Sequence, residues 1–182
     1  MRIIGGSRKG RMLQAPAKLP VRPTTDYAKT GLFNILSNRI DFESVSVLDL
    51  FCGTGGISFE FASRGSLSIT AVDQHAGCVR FVQETARQLD FPGIRTHKAD
   101  VFRYLKQPAI PYDIVFADPP FELEESDRLP ELVLNNGWLA PEGMFILEHQ
   151  AKRKIVSVYE PAEVRVYGNC AFSFYTFKPV QD

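Results

Sequence analysis

The chain has 182 residues, 45% of them hydrophobic and 23% charged, enough for one α/β domain with a full core. Formal net charge is zero, no apolar run approaches the roughly 20 residues that span a membrane, and the start, MRIIGGSRKGR, has no apolar stretch of signal-peptide length. A soluble, cytoplasmic protein is therefore expected.

Cys52, Cys78 and Cys170 are odd in number and form no C-x-x-C, which points to reduced thiols and to no metal site. The charge is uneven. Residues 1–22 carry Arg2, Arg8, Lys9, Arg11, Lys18 and Arg22 and no acid, so the remainder is net acidic. A basic arm on an acidic body suits a polyanion met at one end; a solvated tail is the plain alternative. Residues 2–13 read as two short strands around a glycine-bearing turn, a hairpin with basic side chains at its tip. Pro16, Pro20 and Pro23 then favour extended chain. Thr24 and Thr25 are N-cap candidates for a helix over 26–38, where Ala28, Leu32, Phe33, Ile35 and Leu36 recur at helical spacing. Gly31 weakens that helix by roughly 1 kcal/mol relative to alanine.

The stretch VLDLFCGTGG, residues 47–56, follows. Residues 47–51 are an apolar run with one acid, the length of a buried parallel strand. After Gly53, Gly55 and Gly56 a helical pattern begins, with Ile57 and Phe61 on one face and Glu60 and Arg64 on the other. Strand, glycine turn and helix N-terminus make a nucleotide-type crevice where no Cβ stands between backbone and ligand. The dinucleotide pattern G-x-G-x-x-G fails, because its third glycine position is Ser58. Asp49, inside the strand, would repel a pyrophosphate and attract an ammonium. S-adenosylmethionine carries an ammonium, a sulfonium, a ribose and an adenine, and no phosphate. An ordinary βα turn that tolerates an acid is the alternative on this stretch alone.

A second strand over 67–72 ends at Asp73, placed to accept from both ribose hydroxyls. A helix over 76–89, a short strand over 93–97 ending near Asp100, and a short helix over 101–106 come next. A strongly apolar strand, 112–117, runs into Asp118-Pro119-Pro120-Phe121. A helix over 124–135, a strand over 144–148, and two strands over 163–167 and 171–177 joined around Gly168-Asn169 complete the chain. Alternating β and α units imply an α/β fold: a mostly parallel sheet, helices on both faces, and an antiparallel C-terminal hairpin. Residues 1–40 read as an appended basic hairpin and helix, and residues 41–182 as the main domain.

Asp118-Pro119-Pro120-Phe121 lies at the carboxyl end of its strand, on the edge where α/β sheets bind ligands. Two prolines contribute no N–H, so the corner is rich in acceptors. It suits a planar conjugated NH2 group, whose hydrogens go to fixed acceptors while Phe121 stacks on the base, worth about 1–3 kcal/mol. Holding those hydrogens out of plane localises the nitrogen lone pair toward a methyl donor. A strand-end turn is what the four residues would mean in isolation.

VLDLFCGTGG, Asp73, Asp100 and DPPF together resemble a class I S-adenosylmethionine-dependent amino-methyltransferase. RIIGGSRKGR followed by RPTTDYAKTGLFNIL is similar to the bacterial RsmD family, which methylates N2 of one guanine in 16S rRNA. The resemblance covers nearly the whole chain. It implies a Rossmann-like seven-stranded sheet. Asp49, Phe51, Gly53 and Gly55 would line the methionine end of the cofactor, Asp73 and Gln74 the ribose side, and Asp100 and Val101 the adenine. Asp118 would border both cofactor and guanine, with Pro119, Pro120 and Phe121 completing the catalytic corner. Thr24-Thr25 would cover the pocket, and Arg8, Lys9, Arg11 and Arg22 would meet RNA phosphates. The implied partner is 16S rRNA or the assembling small ribosomal subunit, and the implied state a monomer. The family usually shows Arg-Glu where this chain has Lys29-Thr30, so the role of that pair stays open. DPPF-type corners also serve N6 of adenine and protein amides. A non-catalytic rRNA-binding assembly factor is the reading from another class.

Overall fold

The computed structural model describes residues 1–21 and 24–177. Seven strands form one sheet in the order β3-β2-β1-β4-β5-β7-β6. They are β1 (Ser46–Leu50), β2 (Ser68–Asp73), β3 (Ile94–Lys98), β4 (Tyr112–Ala117), β5 (Leu139–Gln150), β6 (Glu163–Tyr167) and β7 (Cys170–Tyr175). The first five are parallel, and β7 runs against both of its neighbours. The mostly parallel seven-stranded fold expected from the alternation of elements is the fold observed.

Helices cover both faces because the central strands are apolar on both. One face, bearing Val47, Ile69, Ile114, Phe116, Ile146 and Phe172, packs against α1 (Asp26–Ser37), α2 (Gly56–Ser63) and α3 (Ala76–Gln88). The other, bearing Leu48, Leu50, Val72, Val115 and Leu147, packs with residues of α4 (Val101–Tyr104) and α5 (Leu129–Asn135). Ile3, Leu13, Leu32, Phe33 and Leu36 sit in the first cluster, so the N-terminal segment shares the sheet's own core.

Four local expectations change. Residues 2–13 pair as the expected hairpin but without regular strands: Met1 and Leu13 exchange backbone hydrogen bonds (3.1 and 2.8 Å), Ile3 N donates to Arg11 O (3.0 Å) and Gly10 N to Ile3 O (2.8 Å), a bridge joins Arg2 and Met12, and a 3-10 turn, Gly6–Arg8, occupies the tip. Hydrogen bonds from Arg8 N to Ser63 Oγ (2.9 Å) and from Ser63 Oγ to Gly5 O (2.6 Å) tie the turn to α2. The helix expected over 124–135 divides into a 3-10 turn, Glu124–Arg128, and α5, because Pro130 falls at the start of the α-helical part, where its missing N–H costs nothing. Strand β5 starts earlier than 144, pairing Leu139 with Tyr112 before a register shift to Met144 opposite Ile114. Glu60 and Arg64, expected on a polar surface face, are inside: Glu60 is fully buried and Arg64 lies with its guanidinium 4.2 Å from the centroid of Phe33.

Gly31 has a packing reason. A Cβ there would stand 2.1 Å from Cε1 of Tyr167, so the helix approaches the β6–β7 hairpin only because the side chain is absent.

Candidate active site

The sheet order reverses at β1, whose neighbours are β2 and β4. The carboxyl ends of strands at such a reversal form the crevice in which open α/β sheets bind their ligands. Asp49 and Asp73 project to the α1–α3 face, by alternation from Val47 and Ala71. Asp118, two beyond Phe116, continues the same face.

The loop leaving β1 has the backbone a close ligand requires. Phe51, Gly53 and Gly55 have φ of 58°, 52° and 78°. For Phe51 this conformation costs about 1–3 kcal/mol, a strain typical of ligand loops. A Cβ on Gly55 would stand 2.9 Å from Val82 and 3.0 Å from Phe59, so the turn fits only glycine. Asp73 fixes the loop. Its Oδ2 accepts from Gly53 N (2.9 Å) and its Oδ1 from His75 N (2.8 Å). Each oxygen keeps a further lone pair for a ribose hydroxyl. Gln74 beside it is exposed.

Asp49 is 1% exposed, and its Oδ2 accepts from Ser58 N (3.1 Å) and Ser58 Oγ (2.6 Å). Burial pushes its carboxyl up to about 7, with the Asp73 charge adding to the shift and the Ser58 bonds opposing it. Such a carboxylate gains from a ligand ammonium. Asp100 caps α4, accepting from Arg103 N (2.9 Å) through Oδ1 alone, and stands exposed beside buried Val101. The set of acceptors and Cβ-free backbone fits S-adenosylmethionine, whose amine, hydroxyls and adenine NH2 are donors.

Asp118 closes the crevice on the β4 side, anchored by its own N–H to Leu50 O (3.3 Å). Among the described residues no hydrogen bond reaches its carboxylate. Burial, then the charges of Glu148 and Asp49, raise its pKa well above the usual carboxylate range. Pro119 is buried and Phe121 half-buried. Arg153 holds the loop after them, donating to Phe121 O and Leu123 O (3.1 Å each) and pairing with Asp127 at 3.0 Å. This guanidinium anchors the acid-rich segment that follows DPPF.

Of the N-terminal residues, Thr25 is spent on the helix cap, its hydroxyl accepting from Ala28 N (3.2 Å). Thr24 donates instead to Glu148 Oε2 at 2.8 Å. Val21 lies over the glycine loop, 3.4 Å from where a Gly53 Cβ would be. Arg8 donates to Leu89 O through both Nε (3.1 Å) and Nη2 (3.0 Å) and so caps the end of α3. Lys9 and Arg11 are exposed. Arg22 lies outside the described residues. Among those described, no group of acids, histidines and cysteines is arranged to hold a metal, and no helix is long and apolar enough to cross a membrane. The sequence reading did not single out Glu148 or Arg153.

A glycine-turn crevice walled by acids, on a sheet of this order, defines a class I S-adenosylmethionine-dependent methyltransferase. The profile of the family described as "Conserved hypothetical protein 95" matches residues 1–176. The chain belongs to that family, the RsmD family that its motifs resemble. Ribosomal RNA small subunit methyltransferase D of Escherichia coli (strain K12) is 30% identical over 178 residues, covering 96% of this chain and 89% of that protein. The solved Escherichia coli protein yhhF superposes with a TM-score of 0.83 at 29% identity, over 96% of each chain. The Thermus thermophilus 16S rRNA N2 methyltransferase RsmC, solved with AdoMet and guanosine, gives 0.68 at 20% identity over 88% of this chain and 45% of that one, a likeness of fold.

The raised acids set a pH dependence. Between the ordinary carboxylate pKa near 4 and about 7, the folded protein holds protons on Asp49, Asp118 and Glu148 that the unfolded chain has released. Stability contributed by these groups therefore falls as pH rises through that window. The cofactor-free melting temperature is expected to drop by several degrees from about pH 5 to about pH 8, and the slope to flatten in Asp49→Asn. An equal slope in the variant would remove Asp49 from the account.

Proposed function

We propose that this protein transfers a methyl group from S-adenosylmethionine to the exocyclic N2 of one guanine in 16S rRNA of the small ribosomal subunit. One observation carries the reading: a carboxylate without a donor among the described residues, Asp118, stands at the end of β4 beside two prolines and an aromatic ring. The relative named ribosomal RNA small subunit methyltransferase D supports the choice of RNA.

The cofactor, when bound, supplies an electrophilic sulfonium methyl. Asp49 takes its ammonium end, Asp73 with Gln74 its ribose, and Asp100 with Val101 its adenine. Asp118 accepts an N2 hydrogen of guanine, and Phe121 stacks on the base. Restraining the amine keeps its lone pair out of the ring and aimed at the methyl. Positioning of this kind supplies up to roughly 7–11 kcal/mol. After transfer the nitrogen is acidic, and its proton passes to the Asp118 carboxylate or to water. Guanine N2 is paired in a duplex, so the target is an unpaired base or one flipped out at a cost of a few kcal/mol.

Residues 1–40 act as the RNA arm on the catalytic domain of 41–182, with Lys9, Arg11 and Arg22 meeting phosphates and one Arg8 nitrogen left to join them. Thr25 stands at the pocket edge. The protein works as a cytoplasmic monomer, where ribosomal subunits are assembled. The test is incubation with methyl-labelled S-adenosylmethionine and small subunits lacking native modifications, followed by nucleoside analysis and mapping. N2-methylguanosine at a single position is expected. Label in adenosine or in protein would keep the class and discard the substrate.

A further inference from the structure

Glu148 lies near the end of β5, one strand away from Asp118. Ala117 pairs in register with Leu147, so the next residues, Asp118 and Glu148, stand side by side. Both continue the face of Phe116 and Ile146, and adjacent strands are only about 4.8 Å apart. Glu148 is 3% exposed. Its Oε2 receives one hydroxyl, from Thr24 at 2.8 Å, and the Cys170 thiol lies against it. Asp118 receives nothing from the described residues. Two neighbouring carboxylates, one buried and one half-buried, with so few donors among the described residues, are costly in a folded chain. Such pairs are retained where a ligand brings the missing donors.

The Watson–Crick edge of guanine matches that need. It presents N1–H and the N2 amine side by side, two donors pointing the same way. Adenine and cytosine place their amine beside a bare ring nitrogen, an acceptor that would face a carboxylate lone pair to lone pair. We propose that Glu148 accepts the N1–H of the target base while Asp118 holds its N2 amine, so that the paired carboxylates select guanine. This rests on the guanine-N2 reading above. It gives the Thr24 hydroxyl a role as well. By fixing the Glu148 rotamer, Thr24 ties the segment that follows the basic arm to the reading of the base.

The experiment uses small subunits reconstituted on 16S rRNA that carries, at the mapped position, either guanosine or the 2-aminopurine ribonucleoside. The analogue keeps the C2 amine, but its N1 has no hydrogen. At about pH 8.5, where Glu148 is ionised, the wild-type protein is expected to favour guanosine by about 100-fold or more in kcat/KM, because sites built around a hydrogen bond reject partners that lack it. Glu148→Gln keeps the size and an oxygen for Thr24 while offering an NH2 to the base. It is expected to lose about 100-fold on guanosine and to bring the two substrates within about tenfold of each other. S-adenosylmethionine binding by calorimetry should stay within about threefold, since the change lies on the base side of the crevice. An unchanged preference in Glu148→Gln overturns the inference while leaving the guanine-N2 reading intact. Absence of N2 label with the wild-type protein overturns that reading instead. Should Glu148→Gln fail to fold, Glu148→Asp is read on the same pair, where reduced discrimination supports the role and undiminished discrimination refutes it.

Discussion

Replacing Asp118 with alanine is expected to lower kcat/KM for methyl transfer by about 10²–10⁴-fold and to change S-adenosylmethionine affinity by only a few fold. The separation follows from where the residue sits. In the proposed mode, contacts to the ammonium, ribose and adenine fall to Asp49, Asp73 and Asp100, each already oriented by backbone N–H donors. Among the described residues no donor orients the Asp118 carboxylate, which in the same proposal faces the entering base. Its removal also relieves a cost. The charges of Glu148 and Asp49 oppose its ionisation, as does burial. Asp118→Asn, which keeps the volume, is therefore expected to raise the melting temperature near pH 8 while losing activity, the opposed signs typical of a strained functional group. Loss of stability together with equal loss of cofactor binding and turnover would make Asp118 structural.

Much of this site was readable because its signals are local. Gly53, Gly55 and Asp49 fall within a few residues of one another, and DPPF is contiguous. Apolar runs over 47–51 and 112–117, of buried-strand length, placed each motif at a strand end. What could not be read depends on pairing across the chain. Glu148 looks like any acid near a strand end, and only the β4–β5 register sets it beside Asp118. Its partner Thr24 is 124 positions away. Arg153 sits in a stretch without regular structure, and its meaning comes from the Phe121 and Leu123 carbonyls. The basic arm was read as a charged hairpin, but Arg8 spends two nitrogens on the end of α3, which charge counting cannot anticipate. Glu60 misled for a related reason. On α2 alone, Glu60 and Arg64 form a solvent-facing i, i+4 pair; the N-terminal segment, folded over them, turns that face inward.

That buried cluster yields the largest expected change in stability. Lys29 is 2% exposed, with Nζ 3.0 Å from Glu60 Oε1 and 2.5 Å from Arg2 O. Glu60 Oε1 also accepts from Ile4 N at 2.7 Å, and Oε2 pairs with Arg64. One carboxylate thus serves two cations and a backbone donor, fastening residues 2–4 to α1 and α2. Glu60→Gln leaves Lys29 buried without an anion and is expected to cost about 3–5 kcal/mol in urea unfolding. Lys29→Met should cost less, because Glu60 keeps Arg64 and the Ile4 N–H, and the methionine fills the channel of the lysine stem. Pairing the two substitutions should cost less than their sum, since the second removes the charge the first left unpaired. Hydrogen exchange at Ile3 and Ile4 should rise in Glu60→Gln before exchange in the central strands does, because the N-terminal segment loses its anchor first. Equal stability of Glu60→Gln and wild type would mean that apolar packing of Ile3 and Leu13 alone holds the arm. An arm that loosens while the sheet stays intact would in turn lower turnover through the Thr24–Glu148 bond, so the structural pair at Lys29 and the proposed base-reading pair at Asp118 are joined by the same short segment of chain.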